Sequence, residues 1–159
     1  VLQGNFEATS FENDQFDIVW SEEALLHSAN KSQVFQEVAR ILKINGEFIF
    51  TDAMQADDCP KVELQPILDR IHLKELGSIS RYSALAKEVG FTEVEVIEMP
   101  EQLSQHYNKV QKELNAQYGD LLKVCSATYL DKMNKGLSHW VDGSKKGYLN
   151  WGILLFKKP

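Results

Sequence analysis

The chain has 159 residues, 43% of them hydrophobic and 25% charged, a globular balance whose length predicts a single domain. Its net charge of −6 argues against a nucleic-acid partner, because surfaces that bind phosphate backbones normally carry a basic patch. No apolar run approaches the roughly 20 residues of a membrane helix, so we expect no membrane partner.

The first half of the chain predicts a strand, a helix and a second strand. Residues 16–20, FDIVW, are apolar enough for a strand buried on both faces, as in a parallel sheet. Residues 31–43 have apolar side chains at helical spacing, with Asn30 or Ser28 as the N-cap and Gly46 as the left-handed residue that follows. A second strand at residues 47–53 then implies a right-handed parallel crossover.

The second half predicts several helices and two more strands, which makes the fold class α/β. Residues 55–77 suggest short helices over the upper edge of the sheet, and the pair of long helices suggests a lid or flank. The helices are predicted at residues 81–91, ended by Gly90, and at about 101–118 and 126–142, and the strands at residues 92–99 and 148–158.

The two cysteines, Cys59 and Cys125, have neither the CxxC spacing nor the nearby histidines of a zinc site. We therefore predict no metal site and no disulfide framework. Two ordinary thiols, together with the lack of a basic and apolar leader, predict a cytoplasmic protein.

Polar residues follow both strands of the first half, where ligands bind in open α/β sheets. Residues 21–23, SEE, follow the first strand and Asp52 ends the second. Glu23 and His27 are four residues apart, so in a helical turn they would share a face and could hold a cation and move a proton. The alternative is a surface pair, or a carboxylate favoured by a helix N-terminus.

Several stretches resemble class I S-adenosylmethionine-dependent methyltransferases that act on small molecules. FDIVW matches the fourth strand of that family, LLH the turn after it, and RILKING the segment before the fifth strand, although the family's Pro-Gly pair is replaced by Ile-Asn. The later segments are most similar to sarcosine/dimethylglycine N-methyltransferases, which make glycine betaine, and less so to phosphoethanolamine N-methyltransferases. The resemblance covers essentially all of the chain.

This resemblance implies a partial Rossmann-like fold with strands 4, 5, 7 and 6 of the usual sheet and a helical cap. Residues 1–159 would be the C-terminal part of a methyltransferase domain, because strands 1 to 3 and the glycine-rich loop have no counterpart. The implied cofactor is S-adenosylmethionine, with Asn5 and Phe6 at its adenine and Trp20 and Ser21 at its methionine part. Trp20 could instead be a core tryptophan.

For the substrate, the resemblance implies a small amine such as glycine, sarcosine or dimethylglycine. In this interpretation His27 accepts or relays a proton and Glu23 steers the cationic group. A substrate carboxylate favours a fork-shaped cation, for which we choose Arg70, with Arg81 and Tyr82 as further candidates. Each arginine could instead be a solvent-facing helical residue.

Two other hypotheses stay open. Lys145 and Lys146 are compatible with a phosphorylated amine such as phosphoethanolamine. A different class of function is a non-catalytic association module, in which the strand at residues 16–20 is a bare apolar edge that pairs with a second copy to form a homodimer.

Overall fold

The computed structural model describes residues 2–159 and contains one mixed four-stranded sheet flanked by helices. The strands are β1 (Phe16–Glu22), β2 (Leu42–Gln55), β3 (Thr92–Glu98) and β4 (Leu149–Lys157). The helices are α1 (Lys31–Ile41), α2 (Lys61–Ile71), α3 (Ile79–Glu88), α4 (Pro100–Ala116), α5 (Tyr118–Leu121) and α6 (Ala127–Lys145). A single 3₁₀ turn, Leu25–His27, lies between β1 and α1.

The sheet order is β1-β2-β4-β3, with β1 parallel to β2 and with β4 antiparallel to both of its neighbours. This order corresponds to the predicted 4-5-7-6 arrangement and confirms it. The parallel pair places the carboxyl end of β1 beside Thr51 and Asp52, which lie within the C-terminal part of the longer strand β2.

Two hydrophobic clusters stabilise this arrangement. One packs α1 and α3 against the sheet around Phe35, which contacts Phe48, Phe50 and Phe156 edge to face. The other packs α2, α4 and α6 over the carboxyl end of β2, where Ala53 belongs to it. β2 is 14 residues long and therefore contributes side chains to both clusters.

The end of α1 differs from the prediction. The helix stops at Ile41, and Leu42 is already extended at the start of β2. The left-handed residue is Asn45, with φ 64°, rather than Gly46. Gly46 is needed for a close approach instead, because a Cβ atom there would lie 2.8 Å from the carbonyl oxygen of Lys43. The prediction for the end of α3 is confirmed, since Gly90 has φ 84°.

The burial of the two edge strands also differs from the prediction. Ile18 is 56% exposed and Trp20 is 60% exposed, so β1 is not buried on both faces among the described residues. Most of β3, at the other edge, is exposed as well. An edge strand has one neighbour only, and no described element covers the side chains of Ile18 and Trp20.

Asn30 is the N-cap of α1, as predicted. Its side-chain oxygen accepts a hydrogen bond from the Gln33 N–H at 3.2 Å, while Ser28, the other candidate, donates its hydroxyl to Glu7 at 2.6 Å. We expect Asn30→Ala to lower the free energy of unfolding by about 1 kcal/mol, because the helix loses a partner for a free N–H group. Urea denaturation measures this, and Asn30→Asp is the control because it keeps the acceptor. Equal losses in the two variants would contradict a capping role.

Both cysteines are free thiols, and the cytoplasmic location stays a prediction. Among residues 2–159, none of the helices combines the length and the apolar character needed to cross a membrane.

Candidate active site

A sharp turn at the carboxyl end of β1 positions the candidate catalytic residues. Glu23 has a left-handed backbone with φ 49°, which is uncommon for a residue with a side chain. Its N–H donates to the Thr51 carbonyl in β2 at 3.0 Å. His27 ends the 3₁₀ turn that follows. Glu23 thus precedes the 3₁₀ turn instead of sharing a helical face with His27, so the predicted shared face is wrong.

Glu23 and His27 nevertheless line the same cavity, of about 260 Å³. The cavity lies between the β1 turn and the helices of the second cluster. Its lining residues are Glu23, Leu26, His27, Ala53, Arg70, Ile71, Tyr107 and Trp140. We call it the charged cavity, because a carboxylate and a guanidinium both face it.

Arg70 is held in the charged cavity by α6. Its Nη2 lies 2.8 Å from the Met133 sulfur and its Nη1 lies 3.5 Å from the Met133 carbonyl oxygen. A Cβ atom on Gly136 would collide with the guanidinium, so the glycine leaves room for Arg70 in this position. Arg70 forms no ion pair with Glu23 or any other carboxylate in residues 2–159. Its charge is thus available to a ligand.

A second cavity, of about 360 Å³, lies on the other side of Glu23 and Tyr107. Both residues line it, together with Glu22, Gln102, Leu103, His106 and Trp151. The indole N–H of Trp151 donates to Glu23 Oε1 at 2.5 Å. We call this the aromatic cavity.

The buried carboxyl of Asp52 holds the turn from beneath. Asp52 is fully buried and accepts hydrogen bonds from the Leu26 N–H at 3.2 Å and from the Tyr82 hydroxyl. Burial raises its pKa from the ordinary 3.8 to about 7, against the lowering effect of the Tyr82 and Leu26 hydrogen bonds. Because Leu26 lies between Glu23 and His27, Asp52 fixes the turn that carries both residues.

The structure separates the three substrate candidates. Arg70 lines the charged cavity. Arg81 is exposed and lines a different cavity, of about 510 Å³, which it shares with His27, Lys31 and Lys74. Tyr82 is fully buried, and its hydroxyl is engaged by Asp52. This contact argues against direct substrate binding by Tyr82 and for an indirect effect through Asp52.

The four cofactor candidates lie on or near the surface. Trp20 and Phe6 keep 60% and 40% of their surface exposed, so Trp20 is not a core residue of the described part. Asn5 is exposed, and its side-chain oxygen accepts the Glu7 N–H at 2.9 Å. Ser21 is half-buried at the end of β1. No described hydrogen bond or aromatic contact joins Asn5 and Phe6 to Trp20 and Ser21.

Sequence reasoning missed three aromatic residues of the site. Tyr107 in α4 and Trp140 in α6 stack with ring centres 4.7 Å apart and planes at 25°, and Trp151 comes from β4. Burial, and next the charge of Glu23, raises the pKa of Tyr107, while Arg70 lowers it, which indicates that all three groups are close. Helical spacing identified Tyr107 and Trp140 only as apolar positions. Within the described residues, no cluster of acidic, histidine and cysteine side chains could hold a metal ion.

Comparison with known proteins agrees with the resemblance to methyltransferases that the sequence suggests. Residues 1–50 match a family described as a methyltransferase domain. The chain is 48% identical to the sarcosine/dimethylglycine N-methyltransferase of Aphanothece halophytica, over 100% of this chain and 57% of that protein. A crystal structure of a proposed sarcosine dimethylglycine methyltransferase from Galdieria sulphuraria superposes with a TM-score of 0.92 at 41% identity, over 98% of this chain and 57% of that one. The chain is thus similar over its whole length to these methyltransferases, in sequence and in fold.

The chain spans just over half the length of these curated relatives. The dimethylglycine N-methyltransferase of Parasynechococcus marenigrum is another, 43% identical over 100% of this chain and 57% of its own length. A phosphoethanolamine N-methyltransferase from Haemonchus contortus shares the fold, with a TM-score of 0.86 at 19% identity over 98% of this chain and 36% of that one.

Proposed function

We propose that this chain carries the amine site of an S-adenosylmethionine-dependent N-methyltransferase that acts on sarcosine, dimethylglycine or glycine. The observation that carries the proposal is that Glu23 and Arg70 line one cavity without forming an ion pair with each other. Each proposed substrate has an ammonium and a carboxylate separated by one carbon. Two opposite, unpaired charges in one small cavity are the complement of such a zwitterion.

The residues have distinct roles in this proposal. Arg70 binds the carboxylate, and the fixed guanidinium orients the substrate along the cavity. Glu23 attracts the ammonium toward the boundary with the aromatic cavity. The amine can be methylated only after it loses a proton, and His27 is the group that would accept it. Correct placement of the amine accounts for most of the rate enhancement in such a displacement.

S-adenosylmethionine supplies the electrophilic methyl group when it is bound. The described residues suit its adenosine part in several respects. Phe6 offers exposed aromatic surface, and the side-chain nitrogen of Asn5 has no hydrogen-bond partner among residues 2–159 and can face a base edge. Trp20, proposed for the methionine part, is exposed as well. The activities named for the relatives support the same choice of reaction.

We test the proposal with S-adenosylhomocysteine binding by calorimetry and with methyl transfer from labelled S-adenosylmethionine. Both are measured on this chain and on the complete product of its gene. We expect the complete product to bind the cofactor and to methylate sarcosine or dimethylglycine at least tenfold faster than phosphoethanolamine. Absence of cofactor binding in both samples would overturn the methyltransferase proposal.

A phosphorylated amine is a second candidate substrate. The cavity of about 510 Å³ has Lys31, Lys74, Arg81 and two histidines in its lining, with one acidic residue, Glu75, and this excess of cations suits a phosphate. Lys146, in contrast, lies 3.8 Å from Glu63 and lines none of these three cavities. Faster transfer to phosphoethanolamine than to sarcosine in the same assay would favour this candidate.

Association through β1 is a candidate function of another class. β1 is an edge strand of the sheet with two exposed apolar side chains, Ile18 and Trp20, and such an edge favours pairing with a further strand. A homodimer in sedimentation equilibrium, together with no cofactor binding by the complete gene product, would support an association module. A monomer that binds the cofactor would contradict it.

A further inference from the structure

Three aromatic residues from separate elements line the two cavities on either side of Glu23. Tyr107 from α4 lines both the charged and the aromatic cavity, Trp140 from α6 lines the first, and Trp151 from β4 lines the second. Tyr107 and Trp140 are stacked, and Trp151 is hydrogen-bonded to Glu23. The position of the carboxylate is thus fixed beside aromatic rings.

We propose that Tyr107, Trp140, Trp151 and the Glu23 carboxylate form a subsite for a methylated ammonium group, and that this subsite selects dimethylglycine over sarcosine and glycine. The selectivity rests on the function proposed above, because it concerns the same amine. Binding of a methylated ammonium by this chain does not depend on the methyl transfer reaction.

The chemistry of the subsite fits a bulky cation better than a small one. Trp151 engages Glu23 Oε1, and Oε2 has no hydrogen-bond partner among residues 2–159. A primary ammonium needs three hydrogen-bond acceptors when it leaves water, and the aromatic rings provide none. A dimethylated ammonium carries a single N–H, so one carboxylate oxygen satisfies it while its methyl groups contact the rings.

The methyl groups also gain directly from the rings. Cations with apolar surface bind over aromatic faces, and quaternary ammonium ions do so in many proteins. Each methyl group moved from water to an apolar surface should improve binding roughly fourfold. Two methyl groups would therefore favour dimethylglycine over glycine by roughly fifteenfold from this effect.

The orientation of the substrate follows from Arg70. When the carboxylate is bound at Arg70 in the charged cavity, the nitrogen one carbon away points toward Glu23 and Tyr107, which form the boundary with the aromatic cavity. The methyl groups then lie between the Tyr107 and Trp151 rings. Glycine would leave this space to water.

The first experiment uses this chain alone and follows tryptophan fluorescence, since two of the three tryptophans, Trp140 and Trp151, belong to the subsite. Tetramethylammonium chloride and trimethylglycine are titrated beside ammonium chloride and glycine at constant ionic strength. We expect the methylated ions to bind at least tenfold more tightly than the unmethylated ones. Equal responses to both pairs would overturn the subsite.

The second experiment compares variants of the complete gene product in methyl transfer. Tyr107→Leu keeps apolar volume but removes the ring, and we expect kcat/KM to fall about tenfold for dimethylglycine and less than threefold for glycine. Tyr107→Phe restores the ring and should recover most of this preference. Tyr129→Leu is the matched control, because Tyr129 is exposed on α6 and lines neither cavity.

The outcomes separate this proposal from the function it rests on. An equal loss for both substrates in Tyr107→Leu would mean that the Tyr107 ring only stabilises the packing of α4 against α6. That result would overturn the proposed selectivity while leaving the methyltransferase function intact. Tight binding of tetramethylammonium without any methyl transfer would support the subsite and contradict the enzymatic proposal.

Discussion

Arg70→Leu is expected to lower kcat/KM for dimethylglycine by about 30- to 100-fold. The change removes the charged hydrogen bonds to the substrate carboxylate, each worth about 1.5–3 kcal/mol, and most of the loss should appear in KM. Dimethylethanolamine, which has an alcohol in place of the carboxylate, should lose less than threefold. The comparison of the two substrates in a methyl transfer assay measures the contribution of the carboxylate alone.

Two further variants test the assignment of the carboxylate to Arg70, one as a control and one as an independent change at Arg70. Arg81→Leu removes an exposed arginine that lines another cavity, and we expect less than a threefold effect on dimethylglycine. Gly136→Ala puts a methyl group against the Arg70 guanidinium, so it should raise KM in the same direction as Arg70→Leu without a change of charge. A larger loss in Arg81→Leu than in Arg70→Leu would assign the carboxylate to Arg81 instead.

Asp52 should make the free energy of unfolding decrease by about 3 kcal/mol between pH 5 and pH 8. Its pKa is about 7 in the folded chain and 3.8 ordinarily, so between these values the folded chain holds a proton that the unfolded chain has released. The folded state is therefore favoured at the acidic end, and this stabilisation is lost as the pH rises through 7, at about 1.4 kcal/mol per pH unit.

Asp52→Asn is the variant that tests this pH dependence. It keeps a neutral hydrogen-bonding group, so its free energy of unfolding should match the parent at pH 5 and exceed it by about 3 kcal/mol at pH 8. Urea denaturation at the two pH values measures the difference. A parallel pH dependence in parent and variant would show that Asp52 is not the group that titrates.

Glu37 does not interfere with that measurement. The hydrogen bond from Arg40 is the main cause that lowers the pKa of Glu37 to about 2. Its stabilising effect is present above the ordinary pKa of about 4.5 and is lost only as the pH falls toward 2. The interval from pH 5 to pH 8 therefore isolates the contribution of Asp52 from that of Glu37.

Much of the architecture could be predicted because it depends on local patterns. The apolar runs of β1, β2 and β4 and the helical spacing of α1, α4 and α6 are properties of short segments. The end of α1 was missed for a local reason too, because the helix passes directly into β2 at Leu42 and has no left-handed residue at its end. The uncovered face of β1 could not be foreseen from its apolar composition, which is also that of a buried strand.

Residue spacing alone predicted the site only where its residues are neighbours in sequence, and Arg70 was chosen through the family resemblance instead. Glu23 and His27 lie on one turn, and their approach to a common cavity follows from the end of β1. Arg70 meets them only because α6 has a glycine at position 136, and Trp151 reaches Glu23 across 128 residues. Such contacts depend on how helices pack, and no spacing in the sequence encodes them.

The participation of β2 in both hydrophobic clusters has a consequence for how the chain unfolds. A strand shared by two clusters couples them, so neither can open at equilibrium without weakening the other. A small molecule bound in the charged cavity should then slow amide hydrogen exchange along β2 as far as Phe48, well beyond the atoms that it contacts. Amide exchange rates in the sheet would thereby reveal ligand binding in a cavity that most residues of the sheet do not line.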